Sequence, residues 1–260
     1  MYLDVHAHLD LSFYTEQEIE NAIANAKKNN VGVIISNGTN KKTNRYVLDL
    51  AKKYPLIKPA LGIYPYEALL DDLEAGHYAK EDVIFDIDEE LEFIRKHKKD
   101  IVALGEVGLD KKTQRPTTKQ YDIFEKIIIL AKEIEKPLIV HSRKAEAEAI
   151  ALLEKHQVKK VVMHCFSGKK ELWERIQKNG WYCSIPTNCV RSEHFQKLIK
   201  FLPITQLFAE TDSPFLGPVK EAKNEPANVV ETYKMIASIK KMELKEVENS
   251  LWKNYQDVFL

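Results

Sequence analysis

Two histidines stand one residue apart near the start of the chain, in the stretch "YLDVHAHLDL" at residues 2–11. The stretch reads as a short buried strand that ends in His6-Ala7-His8. Residues i and i+2 of a strand share a face, so both imidazoles point the same way. Two neutral imidazoles converging on one spot suit a divalent metal. An isolated H-x-H is as readily two polar residues at a strand end, so the other ligand-type residues decide. Glu106, His141, His164 and Asp212 each fall at or just beyond the end of an apolar run. Four of the eight histidines sit in such places, and His77, His97, His156 and His194 fall in loop-like or helical stretches. Six imidazoles and carboxylates exceed the three or four ligands of one catalytic zinc. Glu106 is placed to bridge, with His6, His8, Glu106 and Asp212 on one ion and Glu106, His141 and His164 on the other. Two such ions would lie about 3.5–4 Å apart and share a hydroxide. A single ion that keeps water ligands is the alternative.

Strands must position these groups. Besides the first, apolar runs occupy residues 31–36, 57–62, 101–107, 137–142, 160–165, 181–186 and 206–211. Each is β-branched or aromatic and too short for a helix. Amphipathic helical patterns separate most of them; "TEQEIENAIANAKKNN" opens with Thr15 and Glu18 in capping-box spacing. Strands buried on both faces and separated by helices imply a parallel sheet. Eight such units predict an α/β fold, the (β/α)8 TIM barrel, whose strand ends share one catalytic rim. Residues 64–88 read as a long loop with a short helix over that rim, 212–226 as a second long loop, and 243–259 as a final covering helix. No linker or repeat divides the chain, so 1–260 is expected to be a single barrel domain.

Lys+Arg and Asp+Glu both number 39. A net charge of zero argues against a protein that coats nucleic acid, which works by releasing many counterions, but permits an enzyme with a local basic patch. The three cysteines, Cys165, Cys183 and Cys189, have no C-x-x-C spacing and suggest a reducing, cytoplasmic compartment. No signal precedes the first strand and no apolar run reaches membrane length, so no membrane association is expected.

The stretches "DVHAHLD", "ALGEVGLD", "IVHSRKA", "MHCFSG", "AETDSPFL" and "KNEPANV", in this order, resemble the TatD family of metal-dependent hydrolases, within the amidohydrolase superfamily. The superfamily often bridges its ions with a modified lysine; Glu106 in that place points to the TatD branch. The resemblance implies a (β/α)8 barrel, two divalent ions and DNase activity, commonly of the 3′–5′ exonuclease type. The ions are expected to be Mg²⁺, Mn²⁺ or Zn²⁺, the substrate single-stranded DNA, and the protein a monomer. The chain departs from the family in places. Tyr64 stands where many members have histidine, and a phenol can still bond a phosphate oxygen. Lys111 and Lys112 follow "GLD" where members show aromatic residues, exchanging base stacking for charge. Lys223 replaces an arginine before "NEP" and loses its bidentate fork.

The expected chemistry is phosphodiester hydrolysis by a metal-activated hydroxide, with Asp212 and Glu106 as the catalytic carboxylates and Asp212 as proton acceptor. Glu210, on the same face as Asp212, orients the site or merely ends its strand. Arg143 clamps a phosphate or pairs at a helix start. Lys111, Lys112 and Arg115 track a backbone or belong to a solvated loop. Ser167 and Gly168 offer backbone N–H groups to a phosphate, or Ser167 is a plain N-cap. Cys165, Trp181, Tyr182 and Trp252 read as packing residues. The same centre could serve a hydrolase of a small amide, lactone or phosphoester, since one barrel hosts many chemistries. A scaffold protein that has lost its activity would not need the intact ligand set.

Overall fold

The computed structural model describes residues 1–65, 86–111 and 118–260. Eight parallel strands lie in chain order in one sheet: β1 (Tyr2–Ala7), β2 (Val31–Asn37), β3 (Ile57–Leu61), β4 (Ala103–Gly108), β5 (Leu138–His141), β6 (Val161–His164), β7 (Tyr182–Ile185) and β8 (Leu207–Ala209). Between them run α1 (Glu16–Lys28), α2 (Lys41–Lys53), α3 (Ile87–Lys96), α4 (Thr118–Glu133), α5 (Glu146–Lys155), α6 (Lys170–Lys178) and α7 (Glu193–Phe201); α8 (Val229–Lys240) and α9 (Leu244–Phe259) follow β8. This is the (β/α)8 TIM barrel that the alternation of apolar runs and helical patterns predicts. It closes where β8 meets β1: Ala7 bridges Ser213, the His8 N–H donates to Ser213 O at 2.8 Å, and the Asp212 N–H donates to His6 O at 2.9 Å. Side chains add to the closure, since Asp4 accepts from both the Thr211 N–H (2.9 Å) and the Thr211 hydroxyl (2.6 Å).

Two apolar clusters result. The outer one lies between sheet and helices; the inner one holds Leu3, Val5, Val33, Ile35, Ala60, Ala103, Ile139, Val162 and Phe208 inside the barrel. Tyr255, Val258 and Phe259 of α9 pack against the inner cluster and plug the end where the strands begin. The capping box of α1 is formed, with Thr15 and Glu18 bonded reciprocally. Three expectations need correction or qualification. Residues 66–85, most of the loop expected over the rim, lie outside the described residues. That loop was expected to run to Asp88, but α3 begins at Ile87, because the Asp86 carboxylate caps the Asp88 and Glu89 N–H groups. Ser167 is not an N-cap: α6 starts after Lys169, and the Ser167 hydroxyl donates to Glu146 at 2.7 Å.

Strict alternation does not account for which side chains reach the barrel mouth. In β5 and β6 it holds: Ile139 and Val162 face inward, and so do His141 and His164, two residues on. In β1, Leu3 and Val5 belong to the inner cluster but Ala7 and Leu9 to the outer one. The β1–β2 register shifts between Asp4 and Ala7, and this irregularity turns His6 and His8 inward. The β4–β5 register shifts likewise between Leu104 and Val107, aiming Glu106 at the axis. Bulges of this kind commonly re-aim side chains beside active sites.

Candidate metal centre

His6 and His8 at the end of β1, Glu106 in β4, His141 ending β5, His164 ending β6 and Asp212 just after β8 converge on one buried spot. His6 Nε2 and His8 Nε2 are 3.1 Å apart. Glu106 Oε2 lies 3.2 Å from His8 Nε2 and 3.6 Å from His6 Nε2. Its other oxygen, Oε1, lies 2.8 Å from His141 Nδ1 and 3.7 Å from His164 Nε2. Asp212 Oδ1 is 3.5–3.9 Å from His8, His6 and His164. Three groupings, His6–His8–Glu106, Glu106–His141–His164 and His6–His164–Asp212, each bring ligand atoms within 4.8 Å of one another. Buried nitrogen and oxygen donors in such groupings fit divalent cations.

The remaining ring nitrogens of three histidines are held from behind. His8 Nδ1 is 3.2 Å from the Asn37 carbonyl, His141 Nε2 is 2.8 Å from Asp110, and His164 Nδ1 is 2.9 Å from Glu210. Such partners fix tautomer and ring orientation in metal sites. Glu210 also accepts from the Cys165 N–H at 3.0 Å. Asp110 escaped the sequence reading. It lies beyond the strand, after Gly108 (φ +138°) and Leu109, whose N–H donates to the His141 carbonyl at 3.0 Å; only its place in "GLD" hinted at a role.

Charges within the cluster decide its ionisation. Burial opposes a carboxylate at Glu106, but hydrogen bonds from His141, His6 and His8 outweigh it and hold the acid well below its usual range. Burial likewise pushes Asp212 up, and His164, His8 and His6 overcome it and lower its pKa. Desolvation disfavours charge on His164, yet Glu210, Asp212 and Glu106 raise its pKa to about 9. His6, desolvated and stacked on His164 at 3.7 Å, shifts downward.

Around the rim, Arg143 places Nε 3.2 Å from Asp110 and donates to the Tyr64 hydroxyl at 3.2 Å. Tyr64 Oη lies 3.2 Å from His141 Nε2. Lys111 is paired with Glu148 of α5, and Lys112 and Arg115 lie outside the described residues. Lys223 pairs with Glu18 at 2.8 Å and covers the Tyr14 ring. Trp181 is buried, with its indole N–H on the Val158 carbonyl; Tyr182 and Trp252 pack against the inner cluster.

The family model described as TatD related DNase matches residues 3–260. The chain belongs to the TatD-related DNase family. A metal-dependent hydrolase of Methanocaldococcus jannaschii is 36% identical over 253 residues, covering 97% of this chain and 94% of that protein. The human deoxyribonuclease TATDN3 is 32% identical over 251 residues, covering 94% and 89%. Among solved structures, a TatD homologue of Escherichia coli K12 superposes with a TM-score of 0.85 at 25% identity, covering 99% of this chain and 97% of the other. As a TatD-family protein the chain is a metal-dependent hydrolase acting on ester bonds. No helix among its described residues is long and apolar enough to cross a membrane.

Proposed function

We propose that this TatD-family chain is a deoxyribonuclease that removes nucleotides from the 3′ end of single-stranded DNA at a centre for two divalent ions, Mg²⁺, Mn²⁺ or Zn²⁺. The observation that carries the reading is the division of Glu106, with Oε1 turned to His141 and His164 and Oε2 to His6 and His8. A carboxylate divided in this way suits a bridge between two cations. In this reading His6, His8, Glu106 and Asp212 hold one ion and Glu106, His141 and His164 the other. Bound there, the ions supply a water acidified toward neutrality and positive charge against the non-bridging phosphate oxygens. Asp212, kept ionised by its imidazole neighbours, accepts the proton of the attacking water. Glu210 and Asp110 hold His164 and His141 in the tautomers that ligation needs. Arg143, its side chain half-exposed, clamps the phosphate with the Tyr64 hydroxyl beside it.

DNA as substrate is supported by the family and by the human relative's name. All described strands share one sheet, which supports reading 1–260 as one domain. The full ligand set on one chain supports a monomer. Three free cysteines support a reducing, cytoplasmic setting.

The test is digestion of a short 5′-labelled single strand by metal-stripped protein, with Mg²⁺, Mn²⁺ or Zn²⁺ restored separately. A shortening ladder that needs metal and vanishes in His6→Ala/His8→Ala is expected. No cleavage by protein shown to bind metal would overturn the DNase reading and leave a small amide, lactone or phosphoester as substrate.

A further inference from the structure

The loops after β1 and β8 bring two phenylalanines to the rim beside His8. The Phe13 and Phe215 rings meet nearly edge to face, with centroids 5.1 Å apart and planes at 80°. Their centroids lie 6.2 and 6.5 Å from that of His8. Phe215 is 47% exposed and Leu11 is 46% exposed. Two phenyl rings in contact at the rim of a buried polar cluster offer an apolar π face of the kind that lines ligand sites.

The ring is not on a loose tip. The Phe215 N–H donates to Asp212 O at 2.8 Å, and its carbonyl accepts from the Asn224 amide at 2.7 Å. Asn224 also donates to Thr211 O at 2.8 Å, and the next carbonyl, of Leu216, accepts from the Thr187 hydroxyl at 2.9 Å. The opposite flank of the centre differs in character. There Arg143 and Tyr64 stand beside His141. One flank therefore offers a fixed apolar π surface and the other a cation. A nucleotide needs both, one for its base and one for its phosphate.

We propose that Phe215, braced by Phe13, is the stacking platform for a base next to the phosphodiester bond that is cut. The inference rests on the deoxyribonuclease reading above and names the groups that seat its substrate. It also puts base stacking on the β1 and β8 loops rather than after "GLD", where this chain carries Lys111 and Lys112.

The test is equilibrium binding, by fluorescence anisotropy, of short single strands whose phosphorothioate linkages resist hydrolysis, in the presence of Mg²⁺. One strand has normal bases throughout; in the other the last two 3′ nucleotides are abasic. Phe215→Ala is expected to raise Kd about tenfold for the normal strand, toward the lower end of what base–aromatic stacking contributes. It should stay within about twofold of the wild type on the abasic strand. Phe215→Trp should restore binding, and Phe13→Ala should show a smaller, base-dependent loss. Thermal melts should show all variants folded, since Phe215 is half-exposed. Equal weakening on both strands, or no change on either, would overturn the platform. A wild type that cleaves DNA but shows no base-dependent difference would overturn the platform alone. A wild type that neither binds nor cleaves DNA would overturn the deoxyribonuclease reading as well, and an apolar acyl group would become the better occupant.

Discussion

Asp110 Oδ2 lies 2.8 Å from His141 Nε2, 3.2 Å from Arg143 Nε and 3.3 Å from the Tyr64 hydroxyl. Asp110→Asn keeps the shape and removes the charge that orients His141. We expect it to weaken metal binding by about 10- to 100-fold, read by calorimetric titration of the metal-stripped variant. Unchanged affinity would deny Asp110 that role. His164 gives a second expectation, with a definite sign. In the metal-free fold its pKa is raised to about 9 by Glu210, Asp212 and Glu106 against the opposing effect of burial, whereas an unfolded imidazole titrates near 6.5. The folded state therefore holds the extra proton between these values. Its contribution to metal-free stability is complete below about pH 6.5 and is lost as pH rises through about 9. Ligation needs the neutral ring, so stabilisation by metal grows over the same range. Melting curves in chelator and in excess Mn²⁺ should diverge as pH rises; a constant gap would mean that His164 holds no metal.

At the scale of elements, the register of β3 against β4 leaves no room for a side chain at Gly62. A Cβ there would meet Glu106 O at 2.4 Å and Glu106 N at 2.6 Å, and both are backbone atoms. Gly62→Ala should cost about 1–3 kcal/mol through overpacking and displace the Glu106 carboxylate. Urea unfolding and a metal titration would read the two effects, and wild-type values in both would contradict the packing argument. The strands themselves were legible because most of their positions are buried on both faces and their runs are therefore largely apolar. His141 and His164 were legible from alternation alone. His6, His8 and Glu106 were recognisable by type and by strand end, but the register shifts that turn them inward leave no mark in an apolar run. The start of α3 was hidden because Asp86 is one acid in an acidic stretch, and a cap is defined by geometry. Ser167 misled for the opposite reason: a good capping residue spends its hydroxyl on the neighbouring helix. Asp110 had only its place in "GLD" as a signal, since its partners Tyr64, His141 and Arg143 stand at or beyond the ends of β3 and β5.

At the scale of the molecule, the barrel has two unlike ends: an apolar plug from α9 under the strand starts and a polar, ion-ready mouth above their ends. Between them, neighbouring strands from β1 to β8 are joined by backbone pairing, but the junction of β8 with β1 is different. It has one bridge, a few hydrogen bonds near Ala7 and Ser213, and the side-chain pair of Asp4 and Thr211. Ligand-type residues stand on both sides of it, His6 and His8 on one and Asp212 on the other. Deuterium uptake at the His8 and Asp212 amides should slow when metal is added, while amides of the β5–β6 pair change little. Equal slowing everywhere would point to global stabilisation instead. The junction also sets an order of events during synthesis. Asp4 and Thr211 are 207 positions apart, so the histidines that emerge first wait for nearly the whole barrel before their last carboxylate arrives. Metal capture would then mark the moment when a nascent chain becomes a finished enzyme.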